Sequence, residues 1–329
     1  MTTPAPEAGA LARRAKRPQQ PQRKIVRRAV DGVLLLDKPQ GVSSNGALQT
    51  ARRLLNAAKA GHTGTLDPMA SGLLPLTFGE ATKFSQMLLD ADKKYEAVVQ
   101  LGVETDSGDA EGKVLATHAV MVERAALEAV LERFRGEIEQ VPPMYSALKR
   151  DGKALYEYAR EGIELERAAR RVTIHALELL DFDGERFTFT IRVHCSKGTY
   201  IRSLAMDIGA ALGCGAHLAA LRRTAIGGFD LSAAVTLEAL EAAGEGARDA
   251  LLAPVDALVA GFPVLRLDGE AARGLLQGRT LALAGAQPGA KVRAYGPDGF
   301  LGLAQWQDDG RLAARRLIAT GSLADDASA

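Results

Sequence analysis

The stretch Gly61-His62-Thr63-Gly64-Thr65-Leu66-Asp67-Pro68-Met69-Ala70-Ser71-Gly72 decides how the rest of the chain is read. Three glycines and a proline in twelve residues predict a loop rather than a regular helix or strand. It is not a bland polar loop. It holds a carboxylate, an imidazole and three hydroxyls, with Leu66 and Met69 as apolar anchors. Asp67 precedes Pro68, which pushes the aspartate towards an extended backbone, and Pro68 fixes the next φ. A carboxylate held this way on a loop is a candidate for chemistry. An arbitrary Asp-Pro opens a turn or caps a helix, so the weight rests on all twelve residues together.

Working outward, the 329 residues suffice for two domains. A hydrophobic content of 47% with 25% charged residues is that of an ordinary globular protein. No apolar run reaches the length of a membrane span. The N-terminal region lacks the apolar segment of a signal peptide, and the pairs Arg13-Arg14 and Arg27-Arg28 lack the apolar stretch that twin-arginine export needs. Cys195 and Cys214 have no metal-ligand or redox spacing and are expected to be buried thiols of a cytoplasmic protein. Residues 1–30 carry eight basic residues against one acid, a formal +7, while the remainder carries 33 basic against 39 acidic residues, a formal −6. The first 29 residues are expected to be a disordered basic tail, either solubilising or adding non-specific attraction to a polyanion.

Val33-Leu34-Leu35-Leu36 suits a buried strand, followed by the turn Asp37-Lys38-Pro39-Gln40-Gly41. Ser43 or Ser44 can cap a helix whose stripe is Ala47, Leu48, Ala51, Leu54 and Leu55. Lys93 to Leu101 reads as a strand. The acidic turn from Glu104 to Gly112 fits neither an EF-hand nor a P-loop and is expected to be a solvated hairpin. Val122 to Arg135 predicts a helix closed by Gly136. Two strands are expected about Asp183-Gly184, the second from the alternation Phe187, Phe189, Ile191, Val193, Cys195. A helix through Leu204, Ile208 and Leu212 follows, with a further helical turn at His217 to Leu221. Residues 236–260 are expected to be helical, and a small β-rich unit begins near Phe262. The mixture predicts an α+β fold with a mixed, mainly antiparallel sheet flanked by helices. The divisions are a tail at 1–29, a main domain at 30–258 and a small domain at 259–322.

Four separated patches sit at or beside predicted strand ends: Asp37 to Gly41, the Asp67 loop, Lys94-Tyr95-Glu96-Ala97, and Ser196-Lys197-Gly198-Thr199-Tyr200-Ile201-Arg202. Loops from one sheet converge on a cleft in this way. Composition takes the argument no further than an acid, basic residues and tyrosines that could share a site. The same residues, with Pro142 to Lys149, Gly213 to Leu218 and Leu221-Arg222-Arg223, resemble the TruB-type tRNA pseudouridine-55 synthases from about Asp31 to Arg223. Ser43 and Ser71 stand where threonine is frequent in that family, and Thr65 where alanine is.

The resemblance implies isomerisation of uridine to pseudouridine at position 55 of the transfer-RNA T loop, by a flipped-out base. It implies Asp67 as nucleophile, Arg202 paired with it, and Tyr95 stacked on the base with a part in proton transfer. Tyr200 and Leu221 would line the pocket, Lys38 would support the loop from behind, and His62 would fill the vacated stack or hold the remaining bases of the RNA loop. Lys93, Lys94, Arg222 and Arg223 would contact phosphates. The C-terminal unit would be a PUA-like RNA-binding domain. No cofactor or metal is implied, and a monomer is expected. The alternatives are pseudouridylation of another RNA, a non-catalytic RNA-binding or RNA-folding module, and a glycoside hydrolase. The last needs two placed carboxylates, of which the sequence shows one.

Overall fold

Continuous apolar runs and period-two alternation seed a large sheet, and helices with one apolar stripe cover it. A computed structural model describes residues 26–319. Strand β1 (Gly32–Lys38) leads to helix α1 (Ser44–Leu54), the short β2 (Ala60–His62) and β3 (Ala70–Phe78). A 3-10 turn and helix α2 (Ser85–Leu89) precede β4 (Lys93–Leu101), the hairpin β5 (Val103–Thr105) and β6 (Val114–Thr117), helix α3 (Arg124–Glu132) and β7 (Gly136–Gln140). An excursion carries β8 (Lys149–Arg150), β9 (Lys153–Ala154) and helix α4 (Leu155–Arg160). Then come β10 (Arg170–Asp183), β11 (Thr188–Cys195), helix α5 (Ile201–Leu212), β12 (Ala216–Ile226) and β13 (Phe229–Asp230).

The main sheet has nine strands, with the path β1-β3-β12-β4-β11-β10-β7, β2 beside β3 and β13 beside β12. Only β3 and β12 pair in parallel among these. Side-chain alternation splits the apolar residues between two faces. One face sends Leu34, Leu36, Leu74, Leu76, Tyr95, Ala97 and Val99 into a core shared with α1, α3 and α5. The other sends Val33, Leu35, Leu73 and Ile226 against Phe84, Leu88, Leu258 and Val259.

A second, five-stranded sheet follows: β14 (Val264–Arg266), β15 (Leu281–Ala282), β16 (Lys291–Gly296), β17 (Gly299–Trp306) and β18 (Arg311–Leu317), with a helix at Gly269–Leu276. It has its own core around Leu275, Trp306 and Leu312. It also lends Leu303 to the second face of the main sheet. Phe84 and Phe300 meet there at 5.7 Å between ring centroids, and Lys83 Nζ donates to the Leu317 carbonyl at 2.9 Å.

The α+β architecture matches the sequence reading, with four local corrections. The ends of the Gly61–Gly72 stretch are strand, in β2 and β3; only the middle is loop. His217 to Leu221 lies in β12 instead of a helical turn, because pairing with both β3 and β4 outweighs its Ala/Leu helix propensity. Residues 236–260 break into α6 (Leu237–Ala242), α7 (Gly244–Ala247) and 3-10 turns, interrupted at Gly244. Phe187 stands before β11 with a φ of +55°, so the connection from β10 is longer than an Asp-Gly turn. Of the expected basic tail, residues 1–25 lie outside the described residues. Arg28 is held on the fold, donating to both oxygens of Asp249 at 2.6 and 2.5 Å.

Candidate active site

The central loop is fixed from several sides. Ser43 caps α1 by accepting from the Gly46 amide, which leaves buried Ser44 free to clamp the loop. The Ser44 hydroxyl accepts from the Leu66 amide and donates to the Leu66 carbonyl, both at 2.8 Å. Gly41 N–H donates to the Pro68 carbonyl at 2.7 Å, and Ala70 N–H to the Asp67 carbonyl at 3.1 Å. Leu66 and Met69 plug into the main core. Arg223, 1% exposed, reaches from β12 to the Gly64 and Leu73 carbonyls at 3.1 and 2.7 Å, beside the two ends of the loop. Gly72 lies so close beneath β12 that a Cβ would sit 2.3 Å from the Arg223 carbonyl oxygen, at a φ of +101°.

Asp67 thus stands on a rigid support at the wall of a cleft of about 770 Å³. Its side chain is 39% exposed, whereas that of its partner Arg202 is 5% exposed; Arg202 Nη2 meets Asp67 Oδ2 at 2.9 Å. Arg202 comes from the first turn of α5. Its other bonds run to the Ser107 carbonyl at 2.9 Å and the Tyr145 carbonyl at 2.6 Å, and its Nε faces Asp109 Oδ2 at 3.5 Å. Its orientation towards Asp67 is therefore set by three other groups. No hydrogen bond occupies Asp67 Oδ1 among the described residues.

Tyr95, Tyr200, Leu221 and Lys93 line the same cleft. Tyr95 points inward from β4, paired across to Val193 and Arg223. Burial is the main cause that raises its pKa, with Arg223 working the other way, so the phenol stays neutral through the physiological range. Tyr200 is likewise raised, chiefly by burial. Its backbone is gripped at both ends by buried Gln140, which accepts from its N–H at 3.1 Å and donates to its carbonyl at 3.3 Å.

Lys38 is fully buried behind the loop and donates to the Pro39 and Val42 carbonyls at 3.0 and 2.6 Å. Burial pushes its pKa down to about 8, against the attraction of Asp67. His62 lies at the end of β2, outside the lining of the cleft. Its pKa is lowered first by burial and then by Arg223, and its Nδ1 has no hydrogen-bond partner among the described residues.

Two expected phosphate contacts are corrected. Arg223 is buried under the loop. Lys93 is 8% exposed and donates to the Leu88, Leu89 and Ala91 carbonyls at 3.3, 2.8 and 2.5 Å. Arg222 is committed to Asp37 at 2.7 and 3.0 Å; Lys94 alone of the four is exposed without a salt-bridge partner among the described residues.

The expected solvated hairpin is also corrected. Asp109, 5% exposed, turns inward, accepting from Ser107 Oγ at 2.5 Å and the Glu111 amide at 3.1 Å. Asp109 and Gln140 are site residues that sequence reasoning missed, and Arg223 and Ser44 brace the loop in place of the phosphate contact and helix cap expected of them. The glycines at 64, 72 and 108 were the available signals, since each marks a place where something packs too closely for a side chain or the backbone is left-handed.

The chain matches the TruB family pseudouridylate synthase N-terminal domain over residues 52–201, the tRNA pseudouridylate synthase B C-terminal domain over 202–260, and a further TruB C-terminal domain over 263–318. These matches set the fold and its site among the pseudouridylate synthases. A tRNA pseudouridine synthase B of Azoarcus sp. is 70% identical over 91% of this chain and 98% of its own length. One of Aromatoleum aromaticum is 64% identical over 89% and 94%. A solved Cbf5–Nop10–Gar1 complex contains a chain with a TM-score of 0.66 and 29% identity, covering 88% of this chain and 84% of its own. An H/ACA ribonucleoprotein bound to a substrate RNA containing 2′-deoxyuridine gives 0.66 and 27%, over 88% and 85%. The chain belongs to the TruB family of tRNA pseudouridine synthases.

Proposed function

We propose that the protein isomerises uridine to pseudouridine at position 55 in the T loop of transfer RNA, with Asp67 as nucleophile. The observation that carries this is the half-exposed Asp67 carboxylate at the cleft wall, oriented by a buried arginine that three further groups hold in place. The reaction needs no external reagent. The N1–C1′ bond breaks, the uracil turns within the pocket, and a C5–C1′ bond forms. The C5 proton leaves and N1 gains one, so atoms balance. Asp67 Oδ1 is the nucleophilic oxygen, with Oδ2 retained by Arg202. Neutral Tyr95 packs against the base and is placed for proton transfer; Tyr200 and Leu221 close the pocket. Lys38 holds the turn behind the loop. His62 occupies the stack that the flipped base leaves.

The small C-terminal unit supplies a second RNA surface, with Arg266, Arg273, Arg279, Arg315 and Arg316 exposed. A monomer acting in the cytoplasm fits this reading. A two-carboxylate hydrolase does not: Asp109 is a second acid near Asp67, but it is buried and bound to Arg202 and Ser107, with no freedom to deliver a proton to a leaving group.

The test is Asp67→Asn with a synthetic T-arm hairpin, measuring binding and pseudouridine together. The expected result is retained binding with turnover reduced by roughly a thousandfold or more. Wild-type protein that binds the hairpin and converts no uridine in it would overturn the assignment of substrate; an active Asp67→Asn protein would overturn the assignment of the nucleophile.

A further inference from the structure

On the face of the sheet opposite Tyr95, three metal-ligating side chains from separate segments converge. Asp92 stands immediately before β4, His175 lies in β10 at a register irregularity between Ile174 and Ala176, and His194 lies in β11 across from Lys94. One nitrogen from each imidazole and one carboxylate oxygen lie within 4.8 Å of one another. Nε2 of His175 is 3.3 Å from Asp92 Oδ2, and Nε2 of His194 is 3.9 Å from the same oxygen. The two rings lie 4.8 Å apart, tilted by 46°.

We propose that Asp92, His175 and His194 form a surface site for one divalent cation of the zinc class, tying the entry of β4 to the β10–β11 hairpin. Metal–nitrogen and metal–oxygen bonds of about 2.0–2.1 Å at tetrahedral angles set donor atoms about 3.3 Å apart. The His175–Asp92 separation already has that value, and the widest separation of 4.8 Å closes by turning the imidazoles, which are part-exposed. The donor set of two imidazoles and one carboxylate selects zinc, cobalt or nickel over magnesium and calcium, which want oxygen ligands. The scaffold is fixed where it needs to be. Asp92 accepts the Gly227 amide through its carbonyl at 2.9 Å, and β10 and β11 are hydrogen-bonded neighbours. Solvent completes the coordination on the outer side. Lys94 is a cation beside the site and is exposed, so it can swing away. The position is that of a clamp, since Tyr95 follows Asp92 by three residues but points to the other face.

The test uses the full chain, freed of metal with a chelator and titrated with Zn²⁺ by calorimetry and with Co²⁺ by visible absorption. The expected result is one equivalent bound, with d–d bands for Co²⁺ and no competition from Mg²⁺. His175→Ala and His194→Ala are each expected to weaken Zn²⁺ binding by at least roughly tenfold, with circular dichroism unchanged. Asp92→Asn should weaken it in the same direction. The site is refuted if the wild type takes up no Zn²⁺ saturably, or if both histidine variants bind it as the wild type does. In the second case His62, His118, His217 or the cysteines hold the metal.

Discussion

Arg202 is the residue on which the site's electrostatics turn. It is buried between two carboxylates and two carbonyls, and of the two carboxylates Asp67 is 39% exposed and Asp109 6%. Replacing it by methionine removes the orientation of Asp67 and strands Asp109 as an unpaired buried charge. Arg202→Met is expected to lose about 3 kcal/mol of stability and to lower turnover by about a hundredfold or more. Urea unfolding and single-turnover assays would show it, and a variant with wild-type turnover would separate Arg202 from the chemistry. Lys38 gives a test in pH. Its pKa in the folded protein, about 8, lies below the usual lysine value of 10.5. As pH falls from 10.5 towards 8 the unfolded chain takes up this proton first, so the folded state loses ground; below about 8 the loss is complete and constant. Stability should therefore rise between pH 8 and pH 10.5 more steeply in wild type than in Lys38→Met. Parallel slopes for the two proteins in urea midpoints across that window would show that Lys38 is not the titrating group.

The loop and its supporting strand show what an element contributes. Gly72 is the third residue of β3, paired with Arg223 of the parallel β12, and its φ of +101° and the 2.3 Å approach to the Arg223 carbonyl leave no space for a side chain. Gly72→Ala is expected to cost about 3 kcal/mol by overpacking and to lower kcat more than it raises KM, because the loop carrying Asp67 runs directly into this contact. A stable, fully active Gly72→Ala protein would refute the close approach. The same elements mark the limits of the sequence. The alternation from Phe189 to Cys195 and the stripe from Ala47 to Leu55 were legible, because each has one buried face and a matching period. So was the Asp67–Arg202 pair, through the family resemblance. β12 was misread because its period-two signal is blurred by partners on both sides and shifts of register at Leu218/Ala220 and Arg223/Ala225. The inward turn of Asp109 was hidden because its burial is created by Arg202, far along the chain. The buried roles of Lys93 and Arg223 were hidden for the same reason: their partners are backbone carbonyls, which carry no sequence signal.

At the scale of the molecule, the two sheets share a core. Phe84, Leu88, Leu258 and Leu303 form one apolar cluster with Val33, Leu35 and Leu73, so residues of the C-terminal sheet complete the second face of the main sheet. Polar ties reinforce it: Lys83 Nζ to the Leu317 carbonyl at 2.9 Å, and the Ala319 amide to Glu80 at 2.6 Å. An interface of this kind makes the C-terminal unit part of the scaffold that presents Asp67, since Leu73 lies in both the cluster and the strand that ends the loop. Independent domains joined by a linker would melt separately. Here a single calorimetric transition is expected, with van't Hoff and calorimetric enthalpies equal. Phe84→Ala removes a ring that is 2% exposed and in contact with Phe300. It is expected to cost about 3–5 kcal/mol and to move the whole transition down in temperature while leaving it single. If the variant instead splits the transition, with one component at the wild-type temperature, the sheets are coupled too weakly for the C-terminal unit to steady the loop that carries Asp67. Its contribution would then be confined to its own contacts with RNA.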